Sequence, residues 1–99
     1  MLLYRAVSEA EWNDLLESGL FATGLNTIEG KWFAETLSDA QLWARMFERL
    51  DQIAYQIIVV IELPDDDAAQ LVCQRRMDGI GPARFATLGQ LHGVRFWKA

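Results

Sequence analysis

The sequence predicts an α+β domain in which helices pack on a mostly antiparallel sheet, in the order β-α-β-α-β-(α)-β-β. Three observations predict this class. Two amphipathic helices with capping signals alternate with short strands in the first half of the chain. The apolar run from Ile57 to Ile61 stops before Pro64 and is typical of a strand that is covered on both faces. Two more strand patterns follow near the end. The 99 residues, 1–99, are expected to form one domain.

The first two elements carry clear boundary signals. Residues 2–7 read as a strand. Ser8 is then expected to cap a helix as part of a capping box with Glu11, and Gly19 is expected to end it in the left-handed conformation. The apolar face of this helix consists of Trp12, Leu15 and Leu16. The turn-rich residues 22–30 predict a loop.

The middle of the chain predicts strand, helix and strand. Residues 31–35 read as the second strand, and Ser38 is the expected N-cap of a helix that runs to about Leu50. The predicted apolar side of this helix consists of Trp43, Met46, Phe47 and Leu50. Residues 55–63 form the clearest strand of the sequence, because its apolar run is unbroken.

The last third predicts a short helix and two strands. Asp65 to Asp67 favour a helix N-terminus over a cation site, and residues 66–74 therefore read as a helix with Cys73 as a small buried side chain. Residues 78–82 predict a loop. Residues 83–88 and 94–97 are the last two strands, with a turn at residues 89–93.

Charge and composition limit the function classes. The net charge is −5, and it is divided between an acidic segment of −9 (residues 1–67) and a basic segment of +4 (residues 68–99). A net acidic chain argues against nucleic-acid binding, which depends on neutralising phosphates. The basic segment is either a solvated surface or a face that meets a phosphate-bearing ligand.

The single cysteine and the single histidine exclude an internal disulfide and a cysteine-based zinc site, so no metal is expected. We see no secretory signal and no membrane span, which predicts a cytoplasmic protein.

Arg5 is the first candidate functional residue. Strand alternation places it on the same face as the apolar Leu3 and Val7. A guanidinium in such a position keeps its charge and needs an anionic partner. That partner is either a structural carboxylate or the phosphate of a ligand.

The segment from Lys31 to Thr36 is the second candidate. It combines a cation, two aromatic rings, a carboxylate and a hydroxyl group on one short strand. Aromatic rings beside a cation suit the stacking of a ring such as nicotinamide or adenine. Alternation puts Trp32 and Phe33 on opposite faces, so at least one of them is expected in the core.

Several short segments resemble, in their order along almost the whole chain, the small C-terminal toxin domains of bacterial polymorphic toxin systems. That group is similar to the ADP-ribosyltransferase fold. The segments are Leu3–Ser8 (LYRAVS), Gly30–Thr36 (GKWFAET), Ser38–Ala40 with Trp43–Ala44, Ile58–Pro64 (IVVIELP) and Asp78–Ala83 (DGIGPA).

The resemblance implies an NAD site. A first-strand arginine, here Arg5, would hold a phosphate or ribose of NAD, and residues 32–36 would cradle nicotinamide and its ribose. The late glutamate of that fold has no match, because residues 79–99 contain no acid. Either Glu35 or Asp78 would take its place, or the substrate would be a nucleic acid or a phosphate. The implied NAD contacts are Tyr4, Arg5, Ser8, Lys31, Trp32, Phe33 and Arg84. The implied catalytic residues are Arg5, Glu35, Thr36 and Asp78.

Two function hypotheses follow. The first is an NAD-binding ADP-ribosyltransferase or NAD glycohydrolase toxin domain, delivered into the cytoplasm of a target cell and recognised by a cognate immunity protein. The second is a non-catalytic protein-binding module of the inhibitor, immunity or adaptor type, which the missing late glutamate and the isoelectric point of 4.7 favour. A nuclease-type toxin is a weaker third hypothesis, because the chain has one histidine and no basic belt.

Overall fold

A computed structural model describes residues 1–21, 30–52 and 54–99 of the chain. The strands are β1 (Leu2–Val7), β2 (Gly30–Ala34), β3 (Ile57–Glu62), β4 (Val72–Met77), β5 (Gly81–Thr87) and β6 (Arg95–Lys98). The helices are α1 (Glu9–Ser18), α2 (Leu37–Asp51), α3 (Asp65–Ala69) and α4 (Leu88–Leu91). The strands form one sheet in the order β4-β5-β2-β1-β3-β6, and every neighbouring pair is antiparallel. The predicted α+β class is therefore confirmed.

Two hydrophobic cores lie on opposite faces of the sheet. The first core joins the sheet to α1, α3 and α4 and is built around Leu3, Leu15, Phe33, Ile61 and Leu91. The second core joins the other face to α2 and consists of Ala6, Ala34, Ala40, Trp43, Ile58 and Ala83, with partly buried aromatic and apolar side chains around them. Burial on both faces explains the unbroken apolar sequence of β3, whose residues from Ile58 to Ile61 are all buried.

Several predicted boundaries are confirmed. β1 covers residues 2–7 as expected. The Ser8 side chain accepts a hydrogen bond from the backbone N–H of Glu11, and Gly19 ends α1 with φ +71°. These outcomes were predictable because each rests on local hydrogen bonding or on the conformational freedom of glycine.

The predicted helix at 66–74 is wrong. α3 ends at Ala69 after one short turn, and β4 begins at Val72. Cys73 is therefore an exposed residue of a strand and not a buried residue of a helix. The adjacent Asp78-Gly79 pair explains the difference, since both residues have positive φ in the turn, residues 78–80, that joins β4 to β5. An Asp-Gly turn with positive φ at both residues is typical of a β-hairpin, which has a strand on each side.

Other details also differ. The N-cap of α2 is Thr36 and not Ser38, because the Thr36 hydroxyl accepts from the backbone N–H of Asp39. Leu16 and Leu50 are exposed, so neither helix buries its whole predicted apolar face. The predicted turn at 89–93 contains the end of the short helix α4. The predicted loop at 22–30 lies outside the described residues, except for Gly30 at the start of β2.

Candidate functional site

A small cavity on the α2 side of the sheet brings several predicted site residues together. Its volume is about 110 Å³, and it lies where β1, β2 and α2 meet the β4–β5 turn. The lining residues are Arg5, Ala6, Trp32, Trp43, Phe47, Met77 and Asp78. Three of the lining residues are aromatic, and two of them, Arg5 and Asp78, are charged. An apolar cavity of about 150 Å³ takes up benzene, so this one admits no more than a single small ring.

Arg5 is held between α1 and β2. Its Nε and Nη2 atoms donate to the two carboxylate oxygens of Glu11, at 2.9 and 3.2 Å, and its Nη1 donates to the backbone carbonyl of Trp32 at 3.2 Å. The side chains of Arg5 and Glu11 are 21% and 25% exposed. A structural carboxylate, one of the two partners expected for Arg5, is therefore present.

The hydrogen-bonded ladder between neighbouring strands is shortest next to Arg5, between β1 and β2. β1 pairs with β3 along its whole length, from Leu2 to Val7, but its pairing with β2 is limited to Tyr4 and Ala34. The Trp32 carbonyl beyond that pair accepts from the Arg5 side chain instead. The interrupted ladder is the structural reason why a cavity can form between these two strands.

Lys31 belongs to the same charged group. Burial lowers the pKa of Lys31 below its ordinary value of 10.5; the carboxylate of Glu11 opposes this effect and the charge of Arg5 adds to it. The charges of Glu11 and Arg5 therefore both act on Lys31 at this point of the sheet. The local excess of positive charge is suited to an anionic ligand group.

Trp32 and Phe33, which are neighbours in the sequence, lie on opposite faces of the sheet. Trp32 is partly exposed, lines the cavity and packs against Phe85, with ring centroids 5.3 Å apart. Phe33 is fully buried in the first core, on the opposite face of the sheet, where it packs edge-on against Phe21. Trp32 is therefore the aromatic residue of this strand that can contact a ligand in the cavity.

Asp78 reaches the cavity through backbone conformation. It is exposed and has φ +55°, which is uncommon for a residue with a side chain but is tolerated by aspartate. With Gly79 at φ +73° it forms the tight turn of the β4–β5 hairpin. This turn places Asp78, the last acidic residue of the sequence, at the cavity that Arg5 and Trp32 also line.

The remaining predicted residues do not line the cavity. Glu35 forms an ion pair with Arg84, with 3.0 Å between Oε2 and Nε, and Arg84 also donates to the Ala68 carbonyl at 2.7 Å. Thr36 and Ser8 are N-caps of α2 and α1. Tyr4 packs at the edge of the second core.

Three contributors to the site were missed in the sequence. Glu11 was interpreted as part of a capping box, whereas its side chain holds Arg5. Trp43 and Phe47 were interpreted as helix core only, and they do lie on the predicted face of α2, but both also line the cavity. The four-residue spacing of this pair signals a shared helix face, which does not distinguish a core from a cavity wall.

The described ranges contain neither a cluster of metal-binding side chains nor a helix that could span a membrane. Within residues 1–21, 30–52 and 54–99, no three acidic, histidine or cysteine side chains converge on a point that could hold a metal ion. Across the same ranges, no helix has both the length and the apolar character needed to cross a bilayer.

Comparisons with known proteins return no match: no family model, no curated protein and no solved structure resembles the chain at a significant level.

Proposed function

We propose that the chain is an ADP-ribosyltransferase-like domain that binds NAD at the cavity and cleaves its bond between nicotinamide and ribose, with hydrolysis or ADP-ribosyl transfer as the outcome. One observation carries the proposal. The cavity is lined by the first-strand arginine Arg5, the second-strand aromatic Trp32 and the acid Asp78, one of the two acids that could replace the late glutamate of the fold that the chain resembles. These three residues are far apart in the sequence, so their meeting is a property of the fold.

The size of the cavity supports one mode of binding. A volume of about 110 Å³ leaves room for no more than the nicotinamide ring, and the rest of the dinucleotide would lie outside. The ring would pack against Trp32, and Arg5 would donate charge-assisted hydrogen bonds to the phosphates. Lys31, on which the charges of Glu11 and Arg5 both act, would add to the positive charge that the phosphates meet.

The reaction needs a carboxylate, and Asp78 fits that need better than Glu35. Cleavage moves the electron pair of the C1′–N bond onto the nicotinamide nitrogen and leaves positive charge on the ribose. A nearby carboxylate stabilises that charge, and a water molecule or an acceptor nucleophile then adds to C1′ and loses its proton. Glu35 is paired with Arg84, whereas Asp78 lines the same cavity as Arg5. Asp78 would therefore replace the late glutamate.

A direct test measures binding and cleavage separately. Calorimetry with NAD gives the affinity, and chromatography of released nicotinamide gives the rate. We expect Arg5→Ala to weaken binding at least tenfold. We expect Asp78→Asn to reduce cleavage by on the order of a hundredfold with little effect on affinity. Asp66→Asn makes the same change on the exposed turn of α3 and should alter neither value.

Glu35→Gln decides between the two acids. If Glu35 and not Asp78 is required for cleavage, the assignment of the carboxylate is wrong. If a folded wild-type chain binds no NAD at millimolar concentration, the whole proposal is wrong.

A toxin role adds an experiment in cells. We propose that the domain acts in the cytoplasm of a target cell and that its natural partner is a cognate immunity protein. Expression in the bacterial cytoplasm should arrest growth for the wild-type chain and not for Asp78→Asn. Equal growth of both strains at equal protein levels would contradict the toxin role.

The ion pair between Arg5 and Glu11 favours a second candidate function, a non-catalytic protein-binding module. A bidentate partner already satisfies the guanidinium without any ligand. In that case Arg5→Ala would lower stability, and NAD would produce no heat with the wild-type chain. Affinity capture of a protein by the wild-type chain would then be the informative measurement.

A further inference from the structure

The edge strand β4 is open on its outer side and on both of its faces. Five of its six residues are exposed, and Met77 is the one that packs against a core. β4 pairs with β5 on one side, and none of the described strands pairs with it on the other. A row of backbone N–H and C=O groups is therefore available to a further strand.

The two halves of β4 offer different groups. From Val72 to Gln74 the strand pairs regularly with β5. The register then shifts before Met77, because Arg75 and Arg76 occupy a bulge opposite a single residue of β5. Both arginines are exposed, and neither forms an ion pair within the described ranges. β4 thus presents a short regular edge followed by two cations that lack a carboxylate partner in this part of the chain.

Both edge strands of the sheet are basic. β4 contains Arg75 and Arg76, β6 contains Arg95 and Lys98, and neither strand contains an acid. Pairing between the edges of two copies would place like charges next to each other, which is unfavourable in any combination of the two edges. A strand that carries carboxylates would instead meet opposite charge. The charge pattern therefore favours an acidic partner over a second copy of the chain.

We propose that β4 is a docking edge for an extended acidic segment of a partner protein, which adds to the sheet as a further strand. Main-chain hydrogen bonds to residues 72–74 would hold the segment, and two neighbouring carboxylates would pair with Arg75 and Arg76. Val72, which is 64% exposed, would gain an apolar neighbour from the same segment. The edge would thus select two consecutive acids beside residues of high β propensity. The inference goes beyond the proposed function and does not depend on it, because neither arginine lines the cavity.

Nuclear magnetic resonance of the full chain with synthetic peptides tests this inference. The probe is the capped peptide TVTEETVT, whose two glutamates have strand-forming residues on both sides, so that it can bind in either direction. We expect the peptide at millimolar concentration to move the backbone amide signals of residues 72–77 and to slow their hydrogen exchange. The peptide TVTKKTVT should bind at least about tenfold more weakly, because it replaces two ion pairs with repulsion.

The double variant Arg75→Gln, Arg76→Gln tests the role of the two charges. It should weaken TVTEETVT about tenfold and leave the weaker binding of the neutral peptide TVTQQTVT nearly unchanged. The double variant Arg45→Gln, Arg49→Gln is the matched control, because it removes two positive charges from exposed positions of α2. It should change neither affinity appreciably. All four arginines are exposed, so both double variants are expected to fold.

A peptide TVTEETVT that is N-methylated at every residue tests the pairing of the backbone. It keeps both carboxylates but donates no backbone hydrogen bond, so we expect it not to bind to β4. If it binds as tightly as the parent peptide, charge attraction alone holds the peptide and the added strand is wrong.

Other results would also overturn the inference. These are the absence of any shift in residues 72–77 at millimolar peptide, equal affinities for the acidic and the lysine peptides, and β4 signals that change with the concentration of the chain alone. The last result would make a second copy the occupant of the edge. NAD takes no part in these measurements, so failure of the proposed function and failure of this inference are distinguishable.

Discussion

The guanidinium of Arg5 on β1 and the carboxylate of Glu11 on α1 form a bidentate pair, with N–O distances of 2.9 and 3.2 Å. The pair joins the first strand to the helix that follows it. The Glu11 carboxylate also reduces the net positive charge that a ligand of Arg5 would meet, because it acts on both Arg5 and Lys31.

Glu11→Gln should weaken the fold and strengthen anion binding. Loss of the charge-assisted pair, which is three-quarters buried, should lower the free energy of unfolding by about 1 kcal/mol. The affinity for NAD should rise, because Arg5 and Lys31 would lose their neutralising carboxylate. Urea denaturation and calorimetry measure the two effects. Glu62→Gln is the control, since its 3.8 Å contact with the largely exposed Arg95 should contribute little; a weaker affinity in Glu11→Gln would contradict the prediction.

The stability of the chain should depend on pH through Lys31. Burial lowers the pKa of Lys31 in the folded state, so between that value and the ordinary 10.5 the unfolded state binds more protons. Stability from this group therefore rises as the pH rises through that window. Lys31→Met buries no charge, so its free energy of unfolding should exceed that of the wild type near neutral pH. The difference should become smaller as the pH rises and Lys31 of the wild type loses its proton.

Denaturation of both chains in parallel checks this dependence, because the other titrating groups cancel in the difference. A margin that stays constant or grows from neutral to alkaline pH would show that the Lys31 pKa is not lowered. A ¹³C titration of the lysine side chains gives the direction of the shift independently.

Gly30→Ala should destabilise the sheet. A Cβ atom at Gly30 would lie 2.5 Å from the Ala86 carbonyl oxygen and would overlap the Phe85 ring. Neighbouring backbone must move to accept it, at a cost of about 1–3 kcal/mol. Gly89→Ala is the matched control, because its Cβ would meet nothing nearer than 3.8 Å and a helical alanine is favourable. Thermal denaturation that ranks the two variants equally would refute the close approach.

Two substitutions of Asp78 should distinguish the effect of its backbone conformation on stability from the effect of its carboxylate on cleavage. Its φ of +55° disfavours alanine by about 1 kcal/mol, whereas asparagine adopts this conformation readily. Asp78→Ala should therefore unfold at a lower urea concentration than the wild type, and Asp78→Asn should not. Equal stabilities for the two variants would mean that the turn relaxes without strain.

Local signals in the sequence predicted much of the fold. The limits of β1, the cap at Ser8, the glycine end of α1 and the buried β3 all depend on interactions within a few residues, so the pattern contains the information. β4 was missed because its sequence has no alternation and its exposed residues leave no hydrophobic period to read. The Asp78-Gly79 turn signal was present and, given more weight, would have indicated the hairpin.

The candidate site was only partly predictable, for a different reason. Arg5 and Trp32 could be selected because a charged or aromatic residue on a short strand demands a partner. Their meeting with Asp78, and the division of Glu11 and Glu35 between two arginines, depend on strand order and on side-chain reach across the sheet. No single segment of the sequence contains that information.

β4 is one of the two edge strands of the sheet: it is hydrogen-bonded to β5 on one side, and no strand of the described residues lies on its other side. Such a strand separates from its sheet at a lower free-energy cost than a central one. Because Asp78 lies in the turn between β4 and β5, each separation of β4 from the sheet would carry the carboxylate away from Arg5, and each return would bring it back. Opening of the cavity would then be a local folding equilibrium, visible as fast amide exchange in residues 72–77. Arg75 and Arg76 lie in β4, and their charges would prevent the exposed strand edge from pairing with the same edge of another copy of the chain while the cavity is open.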